Sequence, residues 1–211
     1  VSHEDQIAST LRKYVPEAAI PLLLPLMRRH PLMLKVSRTR KTKLGDYRFP
    51  DASGRHRISV NHDLNSYAFL ITLLHELAHL FAFEEHGRRI KPHGMEWQVC
   101  FRDIAYPFLE NKLFPTTLQQ LFIESLNRGY ASSCTDLKLH KALRAYDENI
   151  EDKTYVEDLP MGSIFAVNDK AVFKKGPKLR KRYKCLNLKN GREYMVHPMA
   201  LTISHKKPPH E

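Results

Sequence analysis

The sequence predicts an α+β protein in two parts: a mixed helix-and-strand domain over residues 1–158, and a small, basic, β-rich domain over residues 159–211. Three observations predict it. Helical periodicity runs through most of the first part but is broken between Met33 and Val60 by short apolar runs with turn residues between them. The stretch from Leu64 to His86 is apolar almost all round in its middle, as a helix buried in a core is. Beyond residue 158 the period changes to strand-like alternation, with Asn168-Asp169 and Asn190-Gly191 at hairpin positions.

Each element follows in order. Ser2 and Asp5 form a capping-box opening, and Ile7, Leu11, Tyr14 and Val15 recur at helical spacing up to Pro16. Residues 17–30 read as a helix kinked or started by Pro21 or Pro25. Met33–Val36, Gly45–Phe49 and Arg57–Val60, with Asp51-Ala52-Ser53-Gly54 as a turn, suggest a three-stranded antiparallel sheet. The Leu64–His86 helix ends at Gly87 as a C-cap. His93–Tyr106 reads as a helix stopped near Pro107, Pro115–Arg128 as one closed by Gly129, and Thr135–Asp147 as a fourth. The acidic stretch Asp147–Asp158 marks the boundary. Ser163–Val167, Ala171–Phe173, Arg182–Leu188 and Glu193–Val196 then read as strands, and Lys206–Glu211 as a frayed tail.

The net charge of +11 is unevenly placed: residues 1–158 carry 22 Lys plus Arg against 20 Asp plus Glu, and residues 159–211 carry 12 against 3. Such a basic segment suits a polyanion, nucleic acid above all, although solubility alone would also produce it. Three widely spaced cysteines, Cys100, Cys134 and Cys185, argue against a disulfide framework and for a reducing compartment, so a cytoplasmic protein is expected. The longest apolar run, Ala68–Leu74, falls short of the roughly 18 residues of a membrane span, and no membrane partner is expected.

The chemistry sits in the most apolar helix. Thr72-Leu73-Leu74-His75-Glu76-Leu77-Ala78-His79-Leu80 contains H-E-x-x-H, expected about 0.04 times by chance at this composition. Residues four apart project from one face, so His75 and His79 can share one Zn²⁺ at about 2.0–2.1 Å. Glu76, one step round, stands beside a water on that metal and takes its proton as the water attacks a polarised carbonyl. Flanking Leu73, Leu74, Leu77, Ala78, Leu80 and Phe81 bury the motif, and buried polar groups need partners that a metal would supply.

A catalytic zinc requires a third protein ligand and an open position. Glu85 stands where a metzincin carries its third histidine, but that class also needs a glycine where Ala82 stands. His86 lies at a helix end, and Glu96 could act as a carboxylate ligand from the following helix. His93 is preferred, since a loop from Gly87 to Pro92 can turn the chain back to the metal and Gly94 lets the backbone pass close. Helix capping is the plainer role for His93.

At these residues the sequence resembles the SprT-like family of zinc metalloproteases, whose eukaryotic relative Spartan cleaves proteins crosslinked to DNA. The resemblance covers roughly Ser37–Phe108: the Arg-rich lead into Leu44-Gly45, the strand ending Ser59-Val60-Asn61, the Leu-Leu-His-Glu-Leu-Ala-His core, and His93-Gly94 followed by Glu96-Trp97. It implies a zincin-like fold, His75, His79 and His93 as ligands of one catalytic zinc, and Glu76 as the general base. Many bacterial members look to carry a C-terminal zinc ribbon, whereas this chain has only Cys185 beyond residue 158. Residues 159–211 thus look like a ribbon hairpin without its metal, and no second, structural zinc is expected.

The run Lys174–Lys184 carries Lys174, Lys175, Lys178, Arg180, Lys181, Arg182 and Lys184 without an acid, beside Phe173 and Tyr183. Those cations could track phosphates while the rings stack on bases, which favours single-stranded DNA; a solvated hairpin tip is the plainer reading. Lys35, Arg38, Arg40, Lys41 and Lys43 form a second basic cluster. The function expected is a metalloprotease that hydrolyses peptide bonds in DNA-associated or DNA-crosslinked proteins. The substrate would pair with the Arg57–Val60 strand as an edge. A zinc hydrolase with a non-protein substrate and a non-catalytic nucleic-acid-binding module are the rivals.

Overall fold

The computed structural model describes residues 3–40, 43–129, 136–147, 154–167, 171–202 and 204–206. Val1–Glu148 and Asn149–Glu211 form separate units. The first opens with α1 (His3–Leu11), a 3-10 turn (Glu17–Ala19) and α2 (Ile20–Arg28), which takes Pro21 in its first turn and Pro25 in its interior. Ser2 of the expected capping box lies outside the described residues.

Three strands follow as expected, β1 (Leu32–Ser37), β2 (Gly45–Arg48) and β3 (His56–Asn61). Their arrangement corrects the sequence reading, because the order is β1-β3-β2 and the sheet is mixed. β1 runs parallel to β3, Leu32 opposite His56, and β2 antiparallel to it, Gly45 opposite Val60. Burial explains the order: His56, Ile58, Val60 and Asn61 are buried, whereas β1 and β2 contain no fully buried residue. The strand with the most to bury takes the centre, so Arg57–Val60 is not an edge.

α3 (Ser66–His86) is capped by Asn65, whose Oδ1 accepts the Ala68 N–H at 2.9 Å, and stops at Gly87 with φ 75°. It is long and apolar enough to cross a membrane, but 67% of its most apolar window is buried within the protein, as in a core helix. α4 (Met95–Glu110), α5 (Thr116–Asn127) and α6 (Leu137–Arg144) complete the unit. α4 continues through Pro107 where the sequence suggested a stop. Phe108 and Leu109, just past the proline, are buried in the core, and that packing offsets the one hydrogen bond the proline removes. α3 occupies the middle of this core, with Leu11, Leu23, Ile58, Phe69, Trp97, Phe108 and Phe122 in the same cluster.

The second unit is a five-stranded antiparallel sheet of β4 (Ile164–Val167), β5 (Ala171–Leu179), β6 (Arg182–Asn187), β7 (Glu193–Val196) and β8 (Ser204–Lys206), in the order β7-β6-β5-β4-β8. β8 ends on Lys206, the residue at which the sequence reading began a frayed tail. Phe165, Phe173, Tyr183 and Cys185 form its core together with Val156 and Leu159, so these last two pack with the second unit although the sequence boundary at residue 158 divides them. The Asn190-Gly191 turn is present, Gly191 having φ 67°. The Asn168-Asp169 turn lies outside the described residues.

Candidate metal centre

His75 and His79 leave the same face of α3, and His93 reaches them from the turn before α4. Their Nε2 atoms lie 3.2, 3.1 and 3.2 Å from one another. Three imidazole nitrogens cannot satisfy one another in a triangle, because each ring offers a single N–H or lone pair at Nε2. Nitrogens bound at about 2.0–2.1 Å around a tetrahedral zinc stand about 3.3 Å apart, so the donor set fits that ion. Burial holds all three rings in the neutral, ligating form: His79 is pushed down to about 4 by burial and by His93, His75 falls well below its ordinary value for the same reasons, and burial lowers His93.

His93 reaches the cluster by an unusual backbone. It adopts φ 57°, in the left-handed region, while Gly94, the expected site of freedom, is extended at φ −68° and ψ −173°. Gly94 is required for another reason: its N–H bonds to Lys91 O at 2.8 Å, and a Cβ there would lie 2.9 Å from that same oxygen. Capping falls to Gly94 and not to the His93 side chain. Among the alternative third ligands, Glu96 is exposed on the first turn of α4. Glu85 and His86 gather instead with Cys100.

Glu76 is 6% exposed on the next face of α3. Burial, then the charge of Asp46, pushes its carboxyl up to about 8, against a hydrogen bond from the Tyr47 backbone N–H and the charges of Arg40 and Lys43. β2 lies directly on it: a Cβ at Gly45 would collide with Glu76 Oε1 and lie 2.8 Å from Thr72 Cγ2. A strand that must approach this closely carries glycine at the contact.

Sequence reasoning gave no place at the histidines to two aromatic neighbours. Trp97, 1% exposed, places its ring 4.7 Å from those of His75 and His93 and 5.3 Å from that of His79, and its Nε1 is buried without a hydrogen-bond partner. Tyr47 stacks on His79, and its hydroxyl meets His56 Nδ1 at 3.0 Å. His56, itself 2% exposed, turns Nε2 to Glu84 Oε1 at 3.1 Å. Trp97 stands four residues after His93 and was visible in the sequence as an aromatic near it; nothing local marks Tyr47.

The basic run divides. Lys175 is 6% exposed and donates to Glu157 O at 3.0 Å and Leu159 O at 2.6 Å, with its ammonium 4.1 Å from the Tyr183 ring centre. Lys178 pairs with Glu157 at 2.7 Å and Lys184 with Glu193 at 2.8 Å. Arg182 donates to Met195 O at 3.4 Å. Lys174, Arg180 and Lys181 are exposed with no carboxylate partner among the described residues. Phe173 and Tyr183 are buried in the sheet's core, which corrects the expectation that they offer their faces to bases. In the second cluster, Arg40 pins its loop to β3 through Asn61 Oδ1 at 2.8 Å and Ser59 Oγ at 3.0 Å, and Lys43 pairs with Asp46 at 2.6 Å. Lys41 lies outside the described residues.

The site defines a class, an α+β domain with an H-E-x-x-H helix and a third histidine able to hold a metal ion. Residues 24–119 match the SprT-like family, so this stretch is a SprT-like segment and the resemblance read from the motifs holds. Protein SprT of Pseudomonas fluorescens (strain SBW25) is 51% identical over 41 residues, 19% of this chain and 25% of the relative. Protein SprT of Pasteurella multocida (strain Pm70) is 37% identical over 65 residues, 30% of this chain and 35% of the relative. The chain therefore spans about a third or less of the length of these relatives. No solved structure gives a significant match.

Proposed function

We propose that the first unit is a zinc-dependent peptidase in which His75, His79 and His93 hold the ion and Glu76 is the general base. The observation that carries this reading is the triangle of Nε2 atoms 3.1–3.2 Å apart with a buried carboxylate on the next position of the same helix. When bound, zinc supplies a Lewis acid that polarises a peptide carbonyl and acidifies water. Glu76 takes the proton of the attacking water on a carboxylate oxygen and returns it to the leaving amine nitrogen. The hydrogen bond from Tyr47 N–H and the close approach of Gly45 hold that carboxylate in one place. β2 is an edge strand of its sheet and lies against Glu76, so it replaces β3 as the strand on which an extended substrate would pair.

The proposed substrates are proteins associated with or crosslinked to DNA, with the exposed Lys174, Arg180, Lys181 and Arg182 of the basic run as the proposed phosphate contacts. The test is metal content measured beside cleavage of casein and of a DNA-binding protein, for the full chain and its His93→Ala variant. One zinc per chain at the histidines and protein cleavage, both lost in the variant, support the reading. Bound zinc with turnover only of small amides would move the function to a non-protein substrate, and bound zinc with no turnover would leave a binding module.

A further inference from the structure

The sequence leads to one metal ion, but the fold assembles a second donor set from residues that the first leaves unused. Glu85 and His86 end α3, Cys100 sits on the facing side of α4, and their ligand atoms all lie within 4.8 Å of one another. Cys100 Sγ is 3.8 Å from Glu85 Oε2, and His86 Nε2 is 3.9 Å from Glu85 Oε1. Ligand atoms around a tetrahedral ion stand about 3.3–3.8 Å apart, so donors within 4.8 Å of one another need side-chain shifts of up to about 1 Å to complete the geometry. Glu85 and Cys100 also line a cavity of about 360 Å³, together with Glu84 and Asp103, whose carboxylates add negative charge against the single guanidinium of Arg29.

We propose that Glu85, His86 and Cys100 form a second divalent-metal site, distinct from the three-histidine centre and suited to zinc or cobalt. The donors decide the ion, because thiolate, imidazole and carboxylate together favour borderline-soft metals over magnesium or calcium. Without metal the thiol stays protonated: burial, then Glu85 and Asp103, pushes Cys100 up to about 11. Binding replaces the S–H bond with a metal–sulfur bond and releases one proton to the buffer, so apparent affinity rises with pH and no oxidant is involved. Occupation would tie the last turn of α3 to α4 and so steady the Gly87–Pro92 turn that leads to His93.

Titration of the metal-stripped full chain with Co²⁺ tests this. The three-histidine centre contains no sulfur, so a thiolate-to-cobalt charge-transfer band in the near ultraviolet reports only a cysteine site. The expected result is a band that saturates at one cobalt per chain beyond the first and a further rise in the thermal midpoint as it develops. Cys100→Ser should abolish the band and retain the first equivalent. Glu85→Gln, at an exposed position that leaves the core untouched, should weaken the second equivalent by at least about tenfold. His75→Ala should leave the band in place, so failure of the proposed peptidase centre would not be mistaken for failure of this site. No band through several equivalents of Co²⁺, or a band that survives Cys100→Ser, would overturn the proposal.

Discussion

Tyr47 and His79 lie parallel and offset, with ring planes 5° apart and centroids separated by 6.3 Å. The tyrosine is fixed from behind, since its hydroxyl meets His56 Nδ1 and His56 in turn meets Glu84. A chain of three side chains from β2, β3 and α3 thus sets the ring that flanks one histidine of the candidate centre. Tyr47→Phe keeps the stacking and removes the bond, leaving a nitrogen of a buried imidazole unpaired. It should cost about 1–3 kcal/mol in chemical denaturation. Tyr47→Ala should also weaken metal binding in a competition assay. A Phe variant as stable as the parent would show that the bond to His56 holds nothing.

Glu76→Gln should retain fold and zinc content while protein cleavage falls by at least about a hundredfold, because the amide can hold a water but cannot take its proton. Circular dichroism and metal analysis establish the first two points and a casein assay the third. Substantial residual turnover would remove Glu76 from the role of base.

Gly45→Ala forces a methyl group into Glu76 Oε1 and Thr72. Either β2 moves or the carboxylate does. The expected outcome is a destabilisation of about 1–3 kcal/mol with activity lost more severely than stability. Unchanged activity would mean that β2 is not seated on the base.

Acidification should destabilise the metal-free Glu76→Gln variant from about pH 6.5 downward. Burial lowers the values of His56 and His140 below the ordinary 6.5. The unfolded chain therefore takes up these protons at higher pH than the folded one. Their contribution is full above about pH 6.5 and is lost as pH falls through the two folded values, whereas Glu76, held up to about 8, takes its proton first in the folded chain and works in the opposite sense. Denaturation midpoints of the metal-free Glu76→Gln variant, which lacks the opposing carboxyl, check the sign between pH 7.5 and 5; a midpoint that rises on acidification contradicts it.

For DNA, Lys174→Gln, Arg180→Gln and Lys181→Gln together should flatten the log–log salt dependence of single-strand binding by about 2 if all three touch phosphate. Lys175→Gln should instead lower stability, since its ammonium holds two backbone carbonyls inside the second unit. If the triple variant and Lys175→Gln both bind and melt like the parent, this run is neither an anchor for DNA nor a brace for the sheet.

Periodicity was enough to locate α3, its cap at Gly87 and all three strands of the first sheet, because burial imposes the same repeat on side chains in any fold. It could not supply strand order, which depends on which strand has the most apolar surface to hide after folding. The histidines were legible for a related reason: His75 and His79 share one helix, and His93 stood out beside a glycine and a tryptophan. Tyr47 and Gly45 were not, since their link to α3 is made only when β2 packs on it. The basic run misled in part because charge in a sequence carries no orientation. Lys175 sits on the inward face of β5 and its neighbour Lys174 on the outward one.

The left-handed backbone of His93 gives the three histidines unequal standing. Two are carried by a helix whose hydrogen bonds persist whether or not a cation is present, while the third is held in a conformation that costs a residue with a side chain about 1–2 kcal/mol. For an ion held as proposed, departure would then have an order: His93 would let go first, its turn would relax, and the two histidines of α3 would release it last. The dissociation rate would thereby be governed by the seven residues from Gly87 to His93, and a chelator would find its opening there, ahead of the helix.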